Sequence, residues 1–241
     1  MNNSRPESDF VKPGERVDDL ELNGLKIIQD PGAFCFGTDA VLLANFAKVK
    51  RGETVLDLCT GCGVVPVLLC GKTAAKHITG LEIQESCAGM AARSVAMNGL
   101  GERIEIVAGD VKDARRLFGS QSCDVVTVNP PYIESAAGVL NACDPKTIAR
   151  HEILCTLEDV ISASARALKM SKRFYMVHRP ERLADIMCLM RQYGLEPKKL
   201  QFACARAGLA PSLVLVEGRK GGKPGLKALP EIVMEELGLY R

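Results

Sequence analysis

Short, almost uniformly apolar runs alternate along the chain with longer segments whose apolar residues have helical spacing. The short runs are rich in β-branched residues, which is typical of strands buried on both faces of a parallel sheet. Seven such runs occupy 54–58, 78–83, 103–107, 125–128, 174–178, 199–205 and 212–217. The intervening helical segments occupy 64–69, 84–97, 157–168 and 180–193. The alternation predicts an α/β fold with a doubly wound, mostly parallel sheet.

The two ends of the chain lack this alternation. Residues 1–16 are polar and have no periodicity, so we predict that they are disordered. Alternating residues on both sides of Asn23-Gly24 predict a β-hairpin, and a short helix capped by Thr38 or Asp39 follows. The predicted units are a disordered N-terminus (1–16), a hairpin and helix appendage (17–50), an α/β domain (51–218), and a basic loop with a C-terminal helix (219–241).

Composition narrows the class of protein. A chain of 241 residues, 47% hydrophobic and 25% charged, is long enough for one well-buried core. Its formal charge of +2 does not by itself indicate a nucleic-acid binder. The sequence has no run near the roughly 20 apolar residues that a membrane helix needs and no secretory leader, so we expect no membrane partner. Ten scattered cysteines indicate a reducing, cytoplasmic location. Those expected to be buried are Cys59, Cys62, Cys70, Cys123, Cys188 and Cys204.

Four successive predicted strands have a polar side chain at or just beyond the carboxyl end. These side chains belong to Asp57, Glu82, Asp110 and Asn129. Because the carboxyl ends of parallel strands meet at one edge of a sheet, where ligands bind in open α/β folds, this placement indicates a binding site. Each carboxylate taken singly is also compatible with an ordinary surface position.

The loop after the first of these strands contains Gly61 and Gly63 as a Gly-x-Gly pair. A dinucleotide-binding fingerprint has a third glycine, where this sequence has Pro66. A lone Gly-x-Gly pair is often only a tight turn, so the loop alone does not define a cofactor.

The strand that ends at Asn129 leaves the sheet through a rigid exit. Pro130 and Pro131 cannot donate to a strand ladder, and each biases the residue before it toward an extended conformation. The aromatic ring of Tyr132 follows directly. Without the upstream residues, this pattern is equally compatible with a structural strand-to-loop connection.

Taken together, these motifs resemble a known family. Asp-x-x-x-Gly-x-Gly starting at Asp57, the strand ends at Glu82 and Asp110, and Asn-Pro-Pro-Tyr at 129–132 resemble a class I S-adenosylmethionine-dependent methyltransferase that acts on an amino nitrogen. The stretches 34–44 and 149–152 are similar to bacterial tRNA adenine-N6 methyltransferases that modify valine tRNA beside the anticodon. The resemblance covers residues 34–217. It implies a Rossmann-like, seven-stranded sheet of order 3-2-1-4-5-7-6 whose last strand is antiparallel.

The resemblance implies S-adenosyl-L-methionine as the cofactor. This molecule has no pyrophosphate, which fits the missing third glycine. The glycine loop would lie along its methionine part, with Asp57 at the ammonium group and Thr38 near the same end. Glu82 would accept from the ribose hydroxyls, and Asp110 from the adenine amine. The cofactor-binding residues predicted in this way are Asp57, Thr60, Gly61, Gly63, Glu82, Ile83, Asp110, Val111 and Thr38.

The predicted catalytic residues are Asn129, Pro130 and Tyr132. The exocyclic amine of adenine is a poor nucleophile because its lone pair is delocalised into the ring. The Asn129 side-chain oxygen and the Pro130 carbonyl would each accept one amine hydrogen and direct the lone pair at the methyl group, while Tyr132 stacks on the base. Alignment then supplies most of the rate, so a strong general base is unnecessary.

The predicted partner is tRNA, held by basic residues near the C-terminus. Phosphate contacts from such residues carry most nucleic-acid affinity, although a basic run can also be merely solvated. The candidate RNA-binding residues are Lys198, Lys199, Arg219, Lys220 and Lys223. The long irregular segment 135–153 is predicted to cover the acceptor as a binding loop.

Other functions stay open at the level of sequence. A protein glutamine-N5 methyltransferase shares Asn-Pro-Pro-Tyr, because an amide nitrogen needs the same two acceptors, and a ribosomal RNA base is another possible acceptor. A non-catalytic nucleotide-binding protein, or a thiol-redox protein that uses Cys59 and Cys62, would belong to a different class. A second Cys pair at zinc-site spacing is lacking, so no metal site is predicted. The sequence does not determine an oligomeric state.

Overall fold

In the computed structural model, residues 6–32, 35–131 and 155–238 are described, and every structural statement below refers to them. Two strands form an N-terminal hairpin, β1 (Arg16–Asp19) and β2 (Lys26–Gln29). The strands of the main sheet are β3 (Thr54–Leu58), β4 (His77–Glu82), β5 (Ile104–Ala108), β6 (Cys123–Val128), β7 (Leu168–His178), β8 (Leu195–Cys204), β9 (Leu213–Lys220), β10 (Lys227–Ala228) and β11 (Ile232–Val233). The helices are α1 (Thr38–Phe46), α2 (Val64–Lys72), α3 (Glu85–Met97), α4 (Ala114–Phe118), α5 (Leu157–Ala167) and α6 (Leu183–Gln192).

The main sheet has the order predicted from the resemblance. Hydrogen-bonded neighbours follow the path β10-β8-β9-β7-β6-β3-β4-β5, which read from its far end over the seven long strands is 3-2-1-4-5-7-6. Strand β9 is antiparallel to β7 and β8, whereas β3 to β7 are mutually parallel. The two-residue strands β10 and β11, absent from the prediction, extend the sheet beside β8. The α/β, mostly parallel fold class is confirmed.

Helices cover both faces of the sheet, which explains the uninterrupted apolar runs. All six residues of β6 are buried, because successive side chains enter opposite cores. Val125 packs in the core that includes Leu42 of α1 and Leu68 of α2. Val126 packs in the core that includes Ile161 of α5. Because β3 to β7 are parallel, their carboxyl ends lie together at one edge of the sheet, which we call the carboxyl edge.

Helix starts and ends largely follow the sequence signals. Pro66 lies in the first turn of α2, where a missing amide hydrogen costs little. Thr156 and Asp159 form the predicted capping box at the start of α5. The prediction for α1 was wrong: its N-cap is Gly37, and Thr38 is its first helical residue. Asp39 Oδ1 accepts instead from the amide of its own neighbour Ala40, at 2.8 Å.

Residues 6–16, the described part of the N-terminal segment, are more ordered than their composition predicts. Residues 7–9 form a 3-10 turn, and β1 begins at Arg16. The guanidinium of Arg93 in α3 donates to both carboxylate oxygens of Glu15, at 2.6 Å each, and to the Phe10 carbonyl. These hydrogen bonds offset the conformational entropy that the segment loses when it becomes ordered, which a polar segment cannot offset by burying apolar side chains. The hairpin is confirmed, but its connection spans 20–25 rather than the two residues Asn23-Gly24 alone.

The C-terminal segment differs from the predicted basic loop and helix. Arg219 and Lys220 are the last residues of β9, so the proposed boundary at 218 falls inside a strand. Beyond them the described chain forms β10, β11 and a 3-10 turn at 235–237. The glycines and prolines between 221 and 230 disfavour a continuous helix there. The boundaries at 16 and 50 stay predictions.

The sequence also led to expectations about membrane-spanning helices and about which cysteines are buried. None of the described helices combines the length and apolar character needed to cross a bilayer. Cys62, Cys70, Cys123 and Cys204 are buried as expected. Cys188 is exposed because it lies on the outer face of α6, and Cys59 is half-buried in the loop after β3. Helical phase, rather than local apolar composition, decides the exposure of Cys188.

Candidate active site at the carboxyl edge

The glycine loop is attached to the neighbouring strand through Glu82. The Gly61 amide donates to Glu82 Oε2 at 2.8 Å, and the Gln84 amide donates to Oε1 at 3.0 Å. The Thr60 amide donates to the Leu81 carbonyl at 3.0 Å. Glu82 is only 5% exposed, so these bonds compensate part of the cost of burying its carboxylate. Each carboxylate oxygen retains capacity to accept a further hydrogen bond, as from a diol.

The two glycines of the loop differ in the space that surrounds them. Gly63 has φ +87°, and a Cβ there would lie 2.9 Å from the Cβ of Ala91, so this glycine allows the loop to pack against α3. Gly61 has φ +57°, but a Cβ built on it meets no atom within 4 Å. Open space therefore lies in front of Gly61, between the loop and whatever binds at the edge.

Asp57 lies at the base of the loop and is 1% exposed. Its Oδ2 accepts from Thr60 Oγ1 and its Oδ1 from Thr127 Oγ1, both at 2.5 Å. Burial raises the pKa of Asp57 to about 7, although the bonds from Thr127 and Thr60 oppose that shift, and the nearby Glu82 adds to it. A carboxyl group in this state favours a cationic partner, because a nearby positive charge stabilises its ionised form.

The chain just after β5, which carries Asp110, is joined to the end of β4 by a backbone hydrogen bond. The Gly109 amide donates to the Glu82 carbonyl at 2.9 Å. Asp110 is half-buried and caps a 3-10 turn, its Oδ1 accepting from the Lys112 amide at 2.9 Å. Val111 is buried beneath that turn, and Ile83 is half-buried after β4. The predicted cofactor residues of β3, β4 and β5 thus form one continuous rim along the carboxyl edge.

The predicted acceptor residues end β6, the neighbour of β3. Asn129 is half-buried, Pro130 is buried and Pro131 is exposed. Asn129 Nδ2 donates to Asp39 Oδ2 at 3.2 Å. Because neighbouring strands lie about 5 Å apart, Asn129 stands close to the glycine loop that follows β3. Several predictions fall on residues outside the described part of the chain and therefore stay predictions. They concern Phe34, Tyr132 and the segment 135–153, which includes 149–152.

Arg219, Lys220 and Lys223, three of the predicted RNA-binding residues, are not brought to this edge. Arg219 lies opposite Arg173, which lies opposite Val125, four residues before Asn129. At about 3.3 Å per residue this places Arg219 about 13 Å down the strands, toward the opposite edge. The antiparallel direction of β9 causes this reversal, and the loop that carries Lys223 continues from that end.

The side chains of three of the four lysines in this set have partners inside the protein. Lys199 Nζ pairs with Glu217 Oε2 at 2.7 Å. Lys220 Nζ donates to the Leu168 carbonyl at 3.0 Å and to the Ala165 carbonyl. Lys198 Nζ donates to the Lys223 carbonyl at 3.0 Å. These contacts favour a structural role for most of the basic set.

Two side chains at the carboxyl edge were not identified as site residues from the sequence. The sequence presents Thr127 only as part of an apolar strand, and Asp39 only as a candidate helix cap within the stretch 34–44 that carries the family resemblance. A period-of-two count back from Asn129 would have placed Thr127 on its face of β6. The contact of Asp39 with Asn129 depends on how α1 packs, and no local pattern reports it.

The alternative of a thiol-redox protein is not supported by the loop cysteines. Burial raises the pKa of Cys62 to about 12, whereas redox-active thiols have lowered pKa values.

His178 at the end of β7 is also buried, and burial lowers its pKa to about 4. The Arg179 amide donates to its Nδ1 at 2.8 Å, so this imidazole is neutral.

Comparison with known proteins decides among the enzyme classes. A family model for the methyltransferase small domain matches residues 24–182, which include every element of the carboxyl edge described above. The chain belongs to this family. The predicted enzyme class and its S-adenosyl-L-methionine cofactor are thereby confirmed.

Named relatives are similar over most of the chain. A Porphyromonas gingivalis protein, named tRNA1(Val) (adenine(37)-N6)-methyltransferase, is 30% identical over 210 residues, which are 84% of this chain and 81% of the relative. A Bacteroides thetaiotaomicron protein of the same name is 30% identical over 201 residues, covering 82% of this chain and 81% of its own. The family resemblance drawn from the motifs is therefore confirmed.

Solved structures of this methyltransferase fold superpose on the sheet and helices. An Agrobacterium tumefaciens protein, described as a predicted O-methyltransferase, has a TM-score of 0.65 at 22% identity, covering 81% of this chain and 87% of its own. Geranyl diphosphate C-methyltransferase of Streptomyces coelicolor has a TM-score of 0.53 at 13% identity, covering 76% and 77%. That crystal structure contains S-adenosyl-L-homocysteine. At these identities the similarity concerns the fold.

Proposed function

We propose that this methyltransferase transfers a methyl group from S-adenosyl-L-methionine to the N6 atom of an adenine in tRNA, beside the anticodon of a valine tRNA. The observation that carries the proposal is the placement of Asn129 and Pro130 beside the glycine loop, in a chain whose named relatives act on that adenine. A modification of tRNA also fits a cytoplasmic location.

The cofactor side of the site has the donor and acceptor chemistry that the molecule needs. Glu82, whose carboxylate orientation is fixed by two amides, would accept from the ribose hydroxyls. Asp110 would accept from the adenine amine, and Val111 and Ile83 would supply apolar contact on either side. Asp57 would attract the ammonium group, with Thr60 holding its carboxylate. The open space at Gly61 leaves room for the methionine part.

The acceptor side works by alignment. The Asn129 side-chain oxygen and the Pro130 carbonyl would each accept one hydrogen of the adenine amine, which draws the nitrogen toward tetrahedral geometry and directs its lone pair at the methyl carbon. Tyr132 would stack on the base and fix its plane, a contact worth about 1–3 kcal/mol. The N–C bond would form as the C–S bond of the sulfonium breaks, so the sulfur would leave as the neutral thioether of S-adenosylhomocysteine. The nitrogen, cationic after the transfer, would then lose one proton to solvent. The base must first leave its stack to reach the site.

The decisive experiment follows labelled methyl transfer to three acceptors: a valine tRNA transcript, the same transcript with guanosine in place of the adenosine beside the anticodon, and a glutamine-containing peptide. We expect transfer to the first alone. Asn129→Ala should lower kcat at least about 100-fold, the usual effect of removing one preorganised hydrogen-bonding group. Asn45→Ala, which changes an exposed asparagine of α1, is the matched control. Transfer to the guanosine transcript or to the peptide would overturn the proposed acceptor.

A further inference from the structure

Asp39 and Asn129 lie 90 positions apart in sequence and meet at the carboxyl edge. Asn129 Nδ2 donates to Asp39 Oδ2 at 3.2 Å. The other carboxylate oxygen of Asp39 accepts from the Ala40 amide at 2.8 Å, so the first turn of α1 fixes the carboxylate plane. Gly37 leaves room for the carboxylate in this position, since a Cβ there would lie 3.0 Å from Asp39 Oδ1.

This contact distinguishes the two ends of the Asn129 amide. A carboxylate accepts hydrogen bonds and has none to donate, so it pairs with the amide NH2 group and repels the amide oxygen. The NH2 group is therefore held toward α1, and the oxygen is turned to the other side of the side chain. With the amide flipped, the NH2 group would face the incoming amine, and neither group would accept from the other.

We propose that Asp39 is a positioning residue that selects the amide orientation of Asn129 required for methyl transfer. The inference rests on the proposed function, because it assigns Asn129 Oδ1 the role of accepting from the acceptor amine. Asp39 acts through Asn129 and touches neither cofactor nor substrate. Helix α1, which the sequence presents as an appendage before the sheet, thereby becomes part of the acceptor site.

The first test replaces Asp39 by a side chain of the same shape that should favour the opposite orientation. Asparagine at 39 has one oxygen, which would keep accepting from the Ala40 amide, so its NH2 group would face Asn129 and attract the Asn129 oxygen toward α1. For Asp39→Asn we expect kcat to fall about 10- to 100-fold, the effect of misaligning a reacting group, with KM for tRNA and the Kd of S-adenosylhomocysteine within twofold of wild type. A kcat within twofold of wild type, or an equal loss of S-adenosylhomocysteine binding, would overturn the proposal.

A reciprocal exchange separates positioning from a merely structural role. Asn129→Asp alone places two carboxylates against each other, which is unfavourable. The double variant Asp39→Asn with Asn129→Asp restores one donor and one carboxylate, with an acceptor oxygen still available to the substrate. We expect its kcat to exceed that of Asn129→Asp at least about 10-fold, a coupling typical of residues in direct contact. Equal kcat values for the two variants would contradict the proposal.

A measurement that does not use activity separates this inference from the proposed function. The side-chain amide resonances of Asn129, assigned by their loss in Asn129→Ala, should shift in Asp39→Asn. They should stay in place in Asn45→Ala. If wild-type enzyme failed to methylate tRNA while these resonances still shifted, the acceptor assignment would fail and the contact would stand. Resonances that do not respond to Asp39→Asn would refute the positioning role.

Discussion

Thr127 Oγ1 donates a 2.5 Å hydrogen bond to Asp57 Oδ1 across the adjacent strands β6 and β3. Thr60 in the glycine loop donates to the other oxygen of the same carboxylate. One buried carboxylate therefore joins the loop proposed to hold the methyl donor to the strand proposed to hold the acceptor. Its titration and its hydrogen bonds are the most direct probes of the site.

Cofactor binding should depend on the protonation of Asp57. Its pKa of about 7 means that a large part of the ligand-free enzyme carries a neutral carboxyl group at neutral pH. Only the ionised form attracts an ammonium group, so the Kd of S-adenosylhomocysteine should decrease as pH rises from 6 to 8 and then level off. Calorimetry in buffers with different ionisation enthalpies should report release of a proton on binding. Asp57→Asn should bind weakly with little pH dependence over this range.

Stability of the ligand-free enzyme should respond to the same titration with the opposite sign. The pKa of Asp57 rises from 3.8 to about 7 on folding, so the folded state binds more protons than the unfolded state between these values. The free energy of unfolding should therefore decrease as pH rises from about 4 to about 7, with a contribution of at most about 1.4 kcal/mol per pH unit from this group. Urea titrations of wild type and Asp57→Asn should differ by this slope, and parallel curves would contradict the assigned pKa.

The hydroxyl of Thr127 should tune that pKa. Its hydrogen bond favours the ionised form of Asp57 and so lowers the pKa. Thr127→Val preserves shape but removes the donor, so the pH midpoint for S-adenosylhomocysteine binding should move upward. Thr127→Ser retains the donor and should leave the midpoint close to that of wild type. A midpoint that moves equally in both variants would indicate altered packing rather than a lost hydrogen bond.

The two loop glycines should respond differently to alanine. Gly63→Ala combines a positive φ with a 2.9 Å approach to the Ala91 Cβ, so the free energy of unfolding should fall by about 1–3 kcal/mol. Gly61→Ala meets no protein atom, so its cost should be limited to about 1 kcal/mol of backbone strain. Its new methyl group would instead occupy the space proposed for the cofactor and weaken S-adenosylhomocysteine binding. Chemical denaturation and calorimetry of both variants measure the two effects separately.

Neutralising the basic residues at the far end of β9 should affect tRNA methylation only slightly. Arg219 and Lys223 are exposed, but they lie toward the edge opposite Asn129. We expect the variant Arg219→Gln with Lys223→Gln to keep kcat/KM for tRNA within about threefold, with an unchanged salt dependence. A loss of one unit or more from the slope of log K against log salt would show that these residues contact phosphates after all.

The acceptor motif and the sheet were accessible from sequence because their signals are local or periodic. A strand buried on both faces must be apolar throughout, so β6 is visible as 125–128, and the prolines after Asn129 fix where it ends. The glycine loop, the strand-end acids and the Asn129-Pro130 pair stand in an order along the sequence that the fold brings to a single edge. Those features were sufficient for the family and its cofactor.

Three further features were decided only by the tertiary structure. Asp39 reaches Asn129 because α1 packs on β7 and α2, and a side chain 90 positions away leaves no mark in the local pattern. Arg219 and Lys220 are removed from the site because β9 runs antiparallel to its neighbours, so its carboxyl end points away from the carboxyl end of β7 and Arg219 lies opposite Arg173 in the middle of that strand. The pKa of Asp57 depends on how completely the surrounding residues exclude water. Periodicity reports which way a side chain faces along its own element, whereas contacts and desolvation depend on which elements become neighbours.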